Sequence, residues 1–219
     1  MILRARMRAG LFLATTLLGS VALAQSAPTT WSFDASAVDA PPAGFRFEKT
    51  NGGAPGRWIV RAEADAPSPE NVLAQVDPDD TDGRFPMAVA DAPSLRDLRL
   101  SVKCKPVGGR VDQACGLVFR YQDANNYYLT RANALEGNVR LYSVKDGRRK
   151  QLASWSGEVP AGRWSELRVE ARGETLRVFW NGQQVIDERN SIFPESGRVG
   201  VWTKADSITY FDDLAVEPL

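Results

Sequence analysis

Two stretches decide the fold, 138-NVRLYSVKDGRRKQLASW-155 and 175-TLRVFWNGQQVID-187. In each, two runs of branched, aromatic and polar residues are joined by a dipeptide, Asp146-Gly147 in the first and Asn181-Gly182 in the second. Both dipeptides favour the positive φ angles that a type I′ turn requires. Each stretch therefore predicts two antiparallel strands joined by a tight hairpin.

The same pattern extends through the chain from Trp31 onward. Further strand-like runs that are short and mostly alternating lie at residues 57–61, 71–76, 98–105 and 116–121. No window of a dozen residues keeps a helical period, and the spacing of Gly and Pro would interrupt helices. Loops rich in Pro, Gly and Ala at 34–44, 51–56 and 65–70 fit the rim of a sandwich. The sequence predicts one all-β domain over residues 25–219, an antiparallel β-sandwich.

The first 24 residues have the three parts of a secretory signal peptide. Arg4, Arg6 and Arg8 precede an apolar run over 11–18, and small residues at Ala22 and Ala24 predict cleavage before Gln25. The alternative is a retained membrane anchor, but the apolar run is well short of the roughly 20 residues that a spanning helix needs. We therefore expect an exported protein, periplasmic or extracellular, with no transmembrane segment in the mature chain.

The charge balance argues against one class of partner. The full chain has 27 Lys and Arg against 27 Asp and Glu, and cleavage of the signal would remove three arginines and leave a net charge of about −3. Nucleic-acid-binding domains usually carry a basic face or stripe. We do not expect nucleic acid as a partner.

The two cysteines, Cys104 and Cys115, lie in strand-like runs joined by residues 107–110. Pairing of these runs as a hairpin would place the two thiols opposite each other on neighbouring strands. In an oxidising compartment this predicts a structural disulfide. A zinc site is not expected, because two thiols supply too few ligands and the chain has no histidine.

The run GRVDQACGLVFRYQDANNYYLTRANALEGNVRLYSVKDGRR, residues 109–149, resembles the concanavalin A-like lectin/glucanase superfamily. More narrowly, it is similar to the 3-keto-disaccharide hydrolase domain family, formerly a domain of unknown function, and to laminin-G-like modules. The segments 162–185 and 197–219 continue the similarity. The resemblance implies a jelly roll of two packed antiparallel sheets, with sugars bound on the concave face. The family name implies hydrolysis of modified disaccharides, but the Glu-x-Asp-x-x-Glu strand of laminarinase-type glucanases is absent from the sequence.

Glycoside hydrolysis usually needs two carboxyl groups that face each other across the scissile bond. The candidates are Asp112, Asp123, Glu136, Glu170, Asp206, Asp212 and Asp213. Structural roles are the more common explanation for several of them: a turn cap for Asp123, cross-strand ion pairing for Glu170, and loop bracing for Asp212 and Asp213. Without histidine, a Ser-His-Asp triad in its usual form is excluded. The sequence leaves open whether the protein is an enzyme.

A loop at residues 77–83 offers a calcium alternative through Asp77, Asp79, Asp80 and Asp82. Clustered carboxylates suit Ca²⁺, and the spacing resembles that of an EF-hand loop. However, Gly83 comes one place late and no Glu closes the loop. A solvated acidic turn is the favoured interpretation, and no cofactor is required.

A carbohydrate site needs aromatic rings for the apolar faces of sugars and polar groups for their hydroxyls. The predicted ligand-binding residues are Arg120, Tyr128, Arg131 and Asn133 on two adjoining strands, and Trp202 and Lys204 on one face of a later strand. The alternative places Tyr128 and Trp202 in the core. The four tryptophans assigned to the core are Trp31, Trp58, Trp164 and Trp180.

Three functions follow from the sequence. The preferred one is an exported carbohydrate-binding protein. The alternative is a glycosidase-like hydrolase of modified disaccharides or glucan-like glycans. A further alternative is a structural or protein-interaction module of the cell envelope.

Overall fold

The computed structural model describes residues 28–219 as fifteen β-strands. They are β1 Thr29–Trp31, β2 Phe45–Thr50, β3 Trp58–Ala62, β4 Asn71–Gln75, β5 Phe85–Ala90, β6 Leu98–Gly108, β7 Ala114–Asp123 and β8 Asn126–Asn133. The remaining strands are β9 Asn138–Lys145, β10 Arg148–Ser156, β11 Ser165–Arg172, β12 Thr175–Trp180, β13 Gln183–Arg189, β14 Arg198–Trp202 and β15 Ile208–Pro218. The predicted signal peptide, residues 1–24, lies outside the described residues.

The strands form two antiparallel sheets. The eight-stranded sheet has the order β13-β12-β11-β6-β15-β4-β3, with β1 paired to β15. The seven-stranded sheet has the order β10-β9-β8-β7-β14-β5-β2. No helix in residues 28–219 is long and apolar enough to cross a membrane. The predicted all-β antiparallel sandwich is confirmed.

Both predicted hairpins are present, and their turns have the backbone that the sequence requires. Asp146 and Gly147 have φ angles of 51° and 74° between β9 and β10, and Asn181 and Gly182 have 47° and 82° between β12 and β13. Two successive positive φ angles are the mark of the type I′ turn, whose twist matches that of the paired strands. These turns fix the register of both hairpins.

The main core lies between the two sheets. Alternate residues of β6 point into it, namely Leu98, Leu100, Val102 and Cys104, and each is at most 1% exposed. Burial of each large apolar side chain stabilises the fold by about 1.5–3 kcal/mol.

The four tryptophans assigned to the core divide between two places. Trp58 and Trp180 are buried between the sheets as predicted, and Trp31 packs against that core while partly exposed. The prediction for Trp164 is wrong. This residue lies on the outer face of the eight-stranded sheet, beside Ile59 and its neighbours, because it precedes the inward-facing Ser165 of β11 by one position.

The disulfide between Cys104 and Cys115 is confirmed, but its predicted setting is wrong. Cys104 lies on β6 of the eight-stranded sheet and Cys115 on β7 of the seven-stranded sheet, with their Cα atoms 6.3 Å apart. Residues 109–113 carry the chain from one sheet to the other rather than closing a hairpin. The bridge therefore crosses the core and ties the two sheets together.

A second apolar layer covers the other face of the seven-stranded sheet, which we call its outer face. Its fully buried members include Met87, Val118, Tyr127, Leu129 and Trp202. The seven-stranded sheet is thus apolar on both faces, which is unusual for an antiparallel sheet with one side turned to solvent.

Candidate functional site

The centre of the outer face is an aromatic floor, formed by Phe85, Tyr142 and Trp202. The ring centroids of Phe85 and Trp202 lie 5.2 Å apart. The Arg149 guanidinium lies 4.6 Å from the centroids of Phe85 and Tyr142 and 5.9 Å from that of Trp202. At these distances the cation is attracted to the π faces. Arg149 therefore covers the floor, and Trp202 has no exposed ring face.

The residues of the floor and their neighbour Tyr127 are buried. Burial raises the pKa of nearby Tyr127 to about 12, and its hydroxyl lies 2.7 Å from the Thr50 hydroxyl. Within residues 28–219, the buried Nε1 of Trp202 and Nη1 of Arg149 have no hydrogen bond of normal geometry, as is also true of Arg168 Nε on the outer face of the eight-stranded sheet. The Trp202 side chain nevertheless lowers the pKa of Tyr127 slightly against the effect of burial. A buried donor without an acceptor costs about 1–3 kcal/mol, so these two atoms could gain from a ligand that supplies oxygen.

Next to the floor lies a polar cluster, at the end of the sheet where β8 and β9 meet. Its members are Asp112, Arg131, Asn133, Glu136, Asn138, Arg140 and Lys204. Tyr142 connects the two parts, because its hydroxyl accepts a hydrogen bond of 3.2 Å from Arg131 Nη2.

Glu136 is the centre of the polar cluster. Its Oε2 accepts hydrogen bonds from Arg131 Nη2 at 2.9 Å and from Asn138 Nδ2 at 3.0 Å, and pairs with Arg140 Nη1 at 3.0 Å. The turn that carries Glu136 is closed by Asn133, whose Oδ1 accepts the backbone N–H groups of Leu135 and Glu136. This is the Asx-type capping expected of Asn in a tight turn.

Asp112 faces Glu136 across a shared amide. Asn133 Nδ2 donates to Asp112 Oδ1 at 2.8 Å and to Glu136 Oε1 at 3.3 Å. Lys204 Nζ pairs with Asp112 at 3.0 Å and with Asp82 at 3.2 Å. The cluster therefore contains two carboxylates from different elements that converge on one group.

The two carboxyl groups have pKa values displaced in opposite directions. Burial raises the pKa of Asp112 and outweighs the opposing effect of Lys204. Burial also acts to raise the pKa of Glu136, but Asn138, Arg131 and Arg140 outweigh it and lower the pKa. Lys204 loses solvation on burial, yet Asp112 and Asp82 hold its pKa above the usual value. Glu136 is thus the more firmly ionised acid of the pair.

Asp206 holds the loop that carries Asp112. Its carboxylate accepts the backbone N–H groups of Arg110 at 2.6 Å, Val111 at 3.0 Å and Asp112 at 2.9 Å. Although burial opposes ionisation, these backbone hydrogen bonds lower the pKa of Asp206. It is a positioning residue for Asp112, and both of its carboxylate oxygens accept these backbone hydrogen bonds.

The structure brings together four of the six predicted ligand-binding residues. Arg131, Asn133, Trp202 and Lys204 all belong to the outer face of the seven-stranded sheet. Because Trp202 is fully buried, it belongs to the second apolar layer, and direct stacking of a sugar on its ring would first require Arg149 to move.

Arg120 and Tyr128 lie elsewhere. Tyr128 packs on Phe119 and Phe193 in the main core, and its hydroxyl donates to Asn190 Oδ1 at 2.6 Å. Arg120 is fully buried and donates to three backbone oxygens, those of Arg96, Gly173 and Phe193. Tyr128 points into the core because it is next to Leu129, which points outward, and successive side chains of a strand alternate between the two faces. Arg120 has a positive φ of 46°, and the bulge there interrupts this alternation on β7. We leave both out of the candidate site.

Sequence reasoning missed Tyr142, Arg149, Asn138 and Arg140. Three of them alternate along β9 as Asn138, Arg140 and Tyr142, a signal that was available in the sequence. Arg149 follows from the hairpin register, which pairs it with Val144 and so places it on the Tyr142 face.

The other candidate carboxylates have structural roles. Asp123 caps its turn by accepting the Asn125 N–H at 2.7 Å, and Glu170 pairs across strands with Arg99 at 2.8 Å. Asp212 braces the loop before β4 by accepting from Ser68 N at 2.8 Å. Asp213 has a φ of 48° within a register shift of β15.

The four aspartates of the calcium alternative are all engaged by protein groups. Asp77 pairs with Arg84 at 2.9 Å, and Asp79 accepts from Thr81 Oγ1 at 2.6 Å. Asp80 pairs with Arg110 and Asp82 with Lys204. Across residues 28–219, no group of three or more Asp, Glu, Cys or His is placed to hold a metal ion.

Comparison with known proteins points to carbohydrate-associated sandwiches. No family model matches the chain. The chain is 28% identical to the levanase of Bacillus subtilis over 107 residues. The aligned part covers 48% of this chain and 15% of the levanase. The chain therefore corresponds to a small part of that protein.

Two solved structures share the fold. The carbohydrate-binding module CBM66 from Bacillus subtilis is 20% identical with a TM-score of 0.62, over 78% of this chain and 94% of the module. Domain 4 of the arabinanase AbnA from Geobacillus stearothermophilus, in complex with arabinotriose, is 14% identical with a TM-score of 0.51, over 80% of this chain and 82% of the domain. The chain has the β-sandwich fold that these sugar-binding domains share.

Proposed function

We propose that this chain is an exported carbohydrate-binding protein whose site is the polar cluster together with the Arg149-capped aromatic floor. The observation that carries the proposal is the convergence of Glu136, Arg140 and Lys204, three charged groups that remain partly open to solvent, beside buried aromatic rings. Small-molecule sites combine an apolar base with a few placed polar groups in this way.

Each open group has a role in binding hydroxyl groups. Glu136, whose side chain is 38% exposed, is held ionised and accepts hydrogen bonds from sugar hydroxyls. Arg140 and Lys204 donate, with side chains 32% and 16% exposed. Hydrogen bonds to charged groups contribute about 1.5–3 kcal/mol each, twice the usual value for neutral pairs. Three such contacts total about 4.5–9 kcal/mol before association and ordering costs are subtracted, which corresponds to weak, roughly millimolar recognition.

The network behind these groups keeps them in place before a ligand arrives. Arg131, at 3% side-chain exposure, bonds Glu136, Asn138 and Tyr142 and faces no open solvent. Asn133 and Asp112 fix the other side of Glu136. A preorganised site loses little conformational entropy on binding.

The first ligand to test is levan, the polymer for which the levanase relative is named, with arabinotriose as the second. Binding is measured by isothermal titration calorimetry with oligosaccharides prepared from levan. Glu136→Gln is expected to weaken binding at least tenfold, because the amide keeps the shape but loses the charge that accepts the sugar hydroxyl.

Glu170→Gln is the matched control. Glu170 is also an ion-paired glutamate, but it lies on β11, on the outer face of the eight-stranded sheet. It should bind as the wild type does. Equal affinity of the Glu136→Gln variant and the wild type for every sugar that binds would remove the polar cluster from the site.

Glycoside hydrolysis is the second candidate, and one observation favours it. Asp112 and Glu136 share the Asn133 amide and have their pKa values displaced in opposite directions, which is the pattern of an acid paired with a carboxylate. Against it, Asp112 is nearly inaccessible and paired with Lys204. Release of reducing ends from levan or from 3-keto-disaccharides, abolished by Asp112→Asn, would establish hydrolysis; its absence in both leaves binding alone.

Export rests on the signal-like residues 1–24 and is supported by the disulfide, which fits an oxidising compartment. Mass spectrometry of the protein recovered from the periplasm or medium should find Gln25 as the first residue. An intact N-terminus on protein kept in the cytoplasm would contradict export.

A further inference from the structure

The β9–β10 hairpin concentrates positive charge. Residues 145–150, KDGRRK, contain four cations and one acid. Arg149 faces the aromatic floor, as described above. The other three cations are exposed and lie in a different place.

The register of the hairpin puts those three cations on one face. Lys145 is directly opposite Arg148, and Lys150 is directly opposite Ser143. Residues directly opposite in antiparallel strands share a face, and so do residues two apart along a strand. Lys145, Arg148 and Lys150 therefore project together, on the side opposite Arg149. They line a surface depression of about 520 Å³ with Ser143, Asp146 and Ile192.

These cations have no carboxylate partner. Within residues 28–219, none of the ion pairs includes Lys145, Arg148 or Lys150. Asp146 is the one acid among the residues lining the depression, and its exposed side chain forms no ion pair there either. The depression thus carries a net positive charge.

The arrangement is locally unfavourable without a ligand. Like charges directly opposite on neighbouring strands repel, whereas opposite charges attract. On the eight-stranded sheet, directly opposed charged residues have opposite signs, as in Glu166 with Lys103 and Arg177 with Asp187. On β8 and β9 the like-charged Arg131 and Arg140 are directly opposed, but both pair with Glu136. The Lys145–Arg148 pair has no such acid between its members, and both side chains are exposed, so an anionic ligand would compensate the repulsion.

We propose that the depression formed by Lys145, Arg148 and Lys150 binds the anionic groups of an acidic polysaccharide, either carboxylate or sulfate. The site is distinct from the polar cluster, and the choice of a polysaccharide rests on the proposed carbohydrate-binding function. The three cations of this site lie on one hairpin, and the mature chain has a net charge of about −3. A small basic site on an acidic protein suits spaced anionic groups better than the continuous phosphate backbone of nucleic acid.

The test compares two variants with equal changes in charge. The first is the triple substitution Lys145→Gln, Arg148→Gln and Lys150→Gln. The control is Arg96→Gln, Arg163→Gln and Arg172→Gln, which removes three exposed cations that do not line the depression. All six side chains are exposed, so both variants should fold, and circular dichroism checks this.

Binding is measured with polygalacturonate as the carboxylate probe, dextran sulfate as the sulfate probe and neutral dextran as the uncharged control. The wild type and the control variant should bind one or both acidic probes at least tenfold more tightly than the hairpin variant. Raising the salt concentration from about 20 mM to about 200 mM should remove most of that difference, because exposed charges are screened. Neutral dextran should not distinguish the hairpin and control variants.

Equal binding of acidic probes by the hairpin and control variants would overturn the proposal, as would tighter binding of a single-stranded oligonucleotide than of either acidic polysaccharide. Glu136→Gln separates this proposal from the one above. If it abolishes levan binding but leaves binding to the acidic probe intact, both sites stand. If levan fails to bind at all while the hairpin variant still loses the acidic probe, the polar cluster fails and the hairpin site survives.

Discussion

The outer faces of the two sheets are built on different rules. On the eight-stranded sheet, charged residues from neighbouring strands meet partners of opposite sign: Glu170 and Glu217 flank Arg99, Glu166 pairs with Lys103, and Asp187 with Arg177. On the outer face of the seven-stranded sheet, aromatic residues are buried under Arg149. On the opposite side of the β9–β10 hairpin, Lys145 faces Arg148 with no acid paired to either.

The difference shows which surface charges are satisfied within the protein and which are not. Cross-strand ion pairs satisfy one another and leave little for a ligand to gain. Repelling cations with no acid paired to them are a local cost, and such costs are often found at functional sites. The outer face of the seven-stranded sheet and its hairpin are therefore the parts that we expect to bind.

The largest effect should come from the aromatic floor. Trp202→Ala removes a fully buried indole and should lower the free energy of unfolding by about 3–5 kcal/mol, as in other cores. Trp164→Ala on the opposite outer face removes a half-buried indole and should cost only about 1–2 kcal/mol. Urea unfolding of both variants measures this difference, and equal losses would show that the second apolar layer is not a core.

Removal of the disulfide should have the next largest effect. Replacing Cys104 and Cys115 together by Ala removes the link between the two sheets and should destabilise the protein by about 2–4 kcal/mol. Denaturant unfolding of the double variant, with the reduced and alkylated wild type beside it, gives the value. A change below about 0.5 kcal/mol would mean that packing alone sets the distance between the sheets.

A smaller effect is expected for the ion pairs of the eight-stranded sheet. A double-mutant cycle on Arg177 and Asp187, both about half exposed, should give a coupling energy of at most about 1 kcal/mol. The cycle uses Ala at each position and thermal unfolding at low and high salt. A coupling energy well above that value would show that the ion pairs of this face contribute substantially to the stability of the fold.

The smallest effect should appear in acid. Because the folded-state pKa of Glu136 is lowered from 4.5, its ionised form stabilises the fold above that pH, and the stabilisation is lost as the pH falls through the lowered value. The difference in unfolding free energy between the wild type and Glu136→Gln should be constant above pH 4.5 and shrink below it. A difference that grows on acidification would reverse the assigned direction.

Most of the fold could be predicted from local sequence, whereas the site could be predicted only in part. The Asp146-Gly147 and Asn181-Gly182 dipeptides fix two hairpins because their backbone requirement is local. The sheet to which each strand belongs is not local information, so Cys104 and Cys115 were expected on neighbouring strands and lie on different sheets.

The same limit explains the mixed result for the site. Arg131 and Asn133 could be placed on one face, and Trp202 and Lys204 likewise, because residues two apart along an extended chain share a face. Tyr128 has the same residue type as Tyr127, and only parity separates the core face from the outer face. The bulge at Arg120 changes the alternation of side chains on β7 and turns Arg120 away from the outer face. No short-range pattern in the sequence predicts where a bulge falls.

The central claim is that carbohydrate binds on the outer face of the seven-stranded sheet. Titration of ¹⁵N-labelled protein with levan oligosaccharides, followed by backbone and indole N–H signals, tests it directly. We predict shifts at residues 131–140 and 203–205 and at the unpartnered indole N–H of Trp202, with signals of residues 166–177 unmoved. Shifts confined to residues 166–177 would contradict the account.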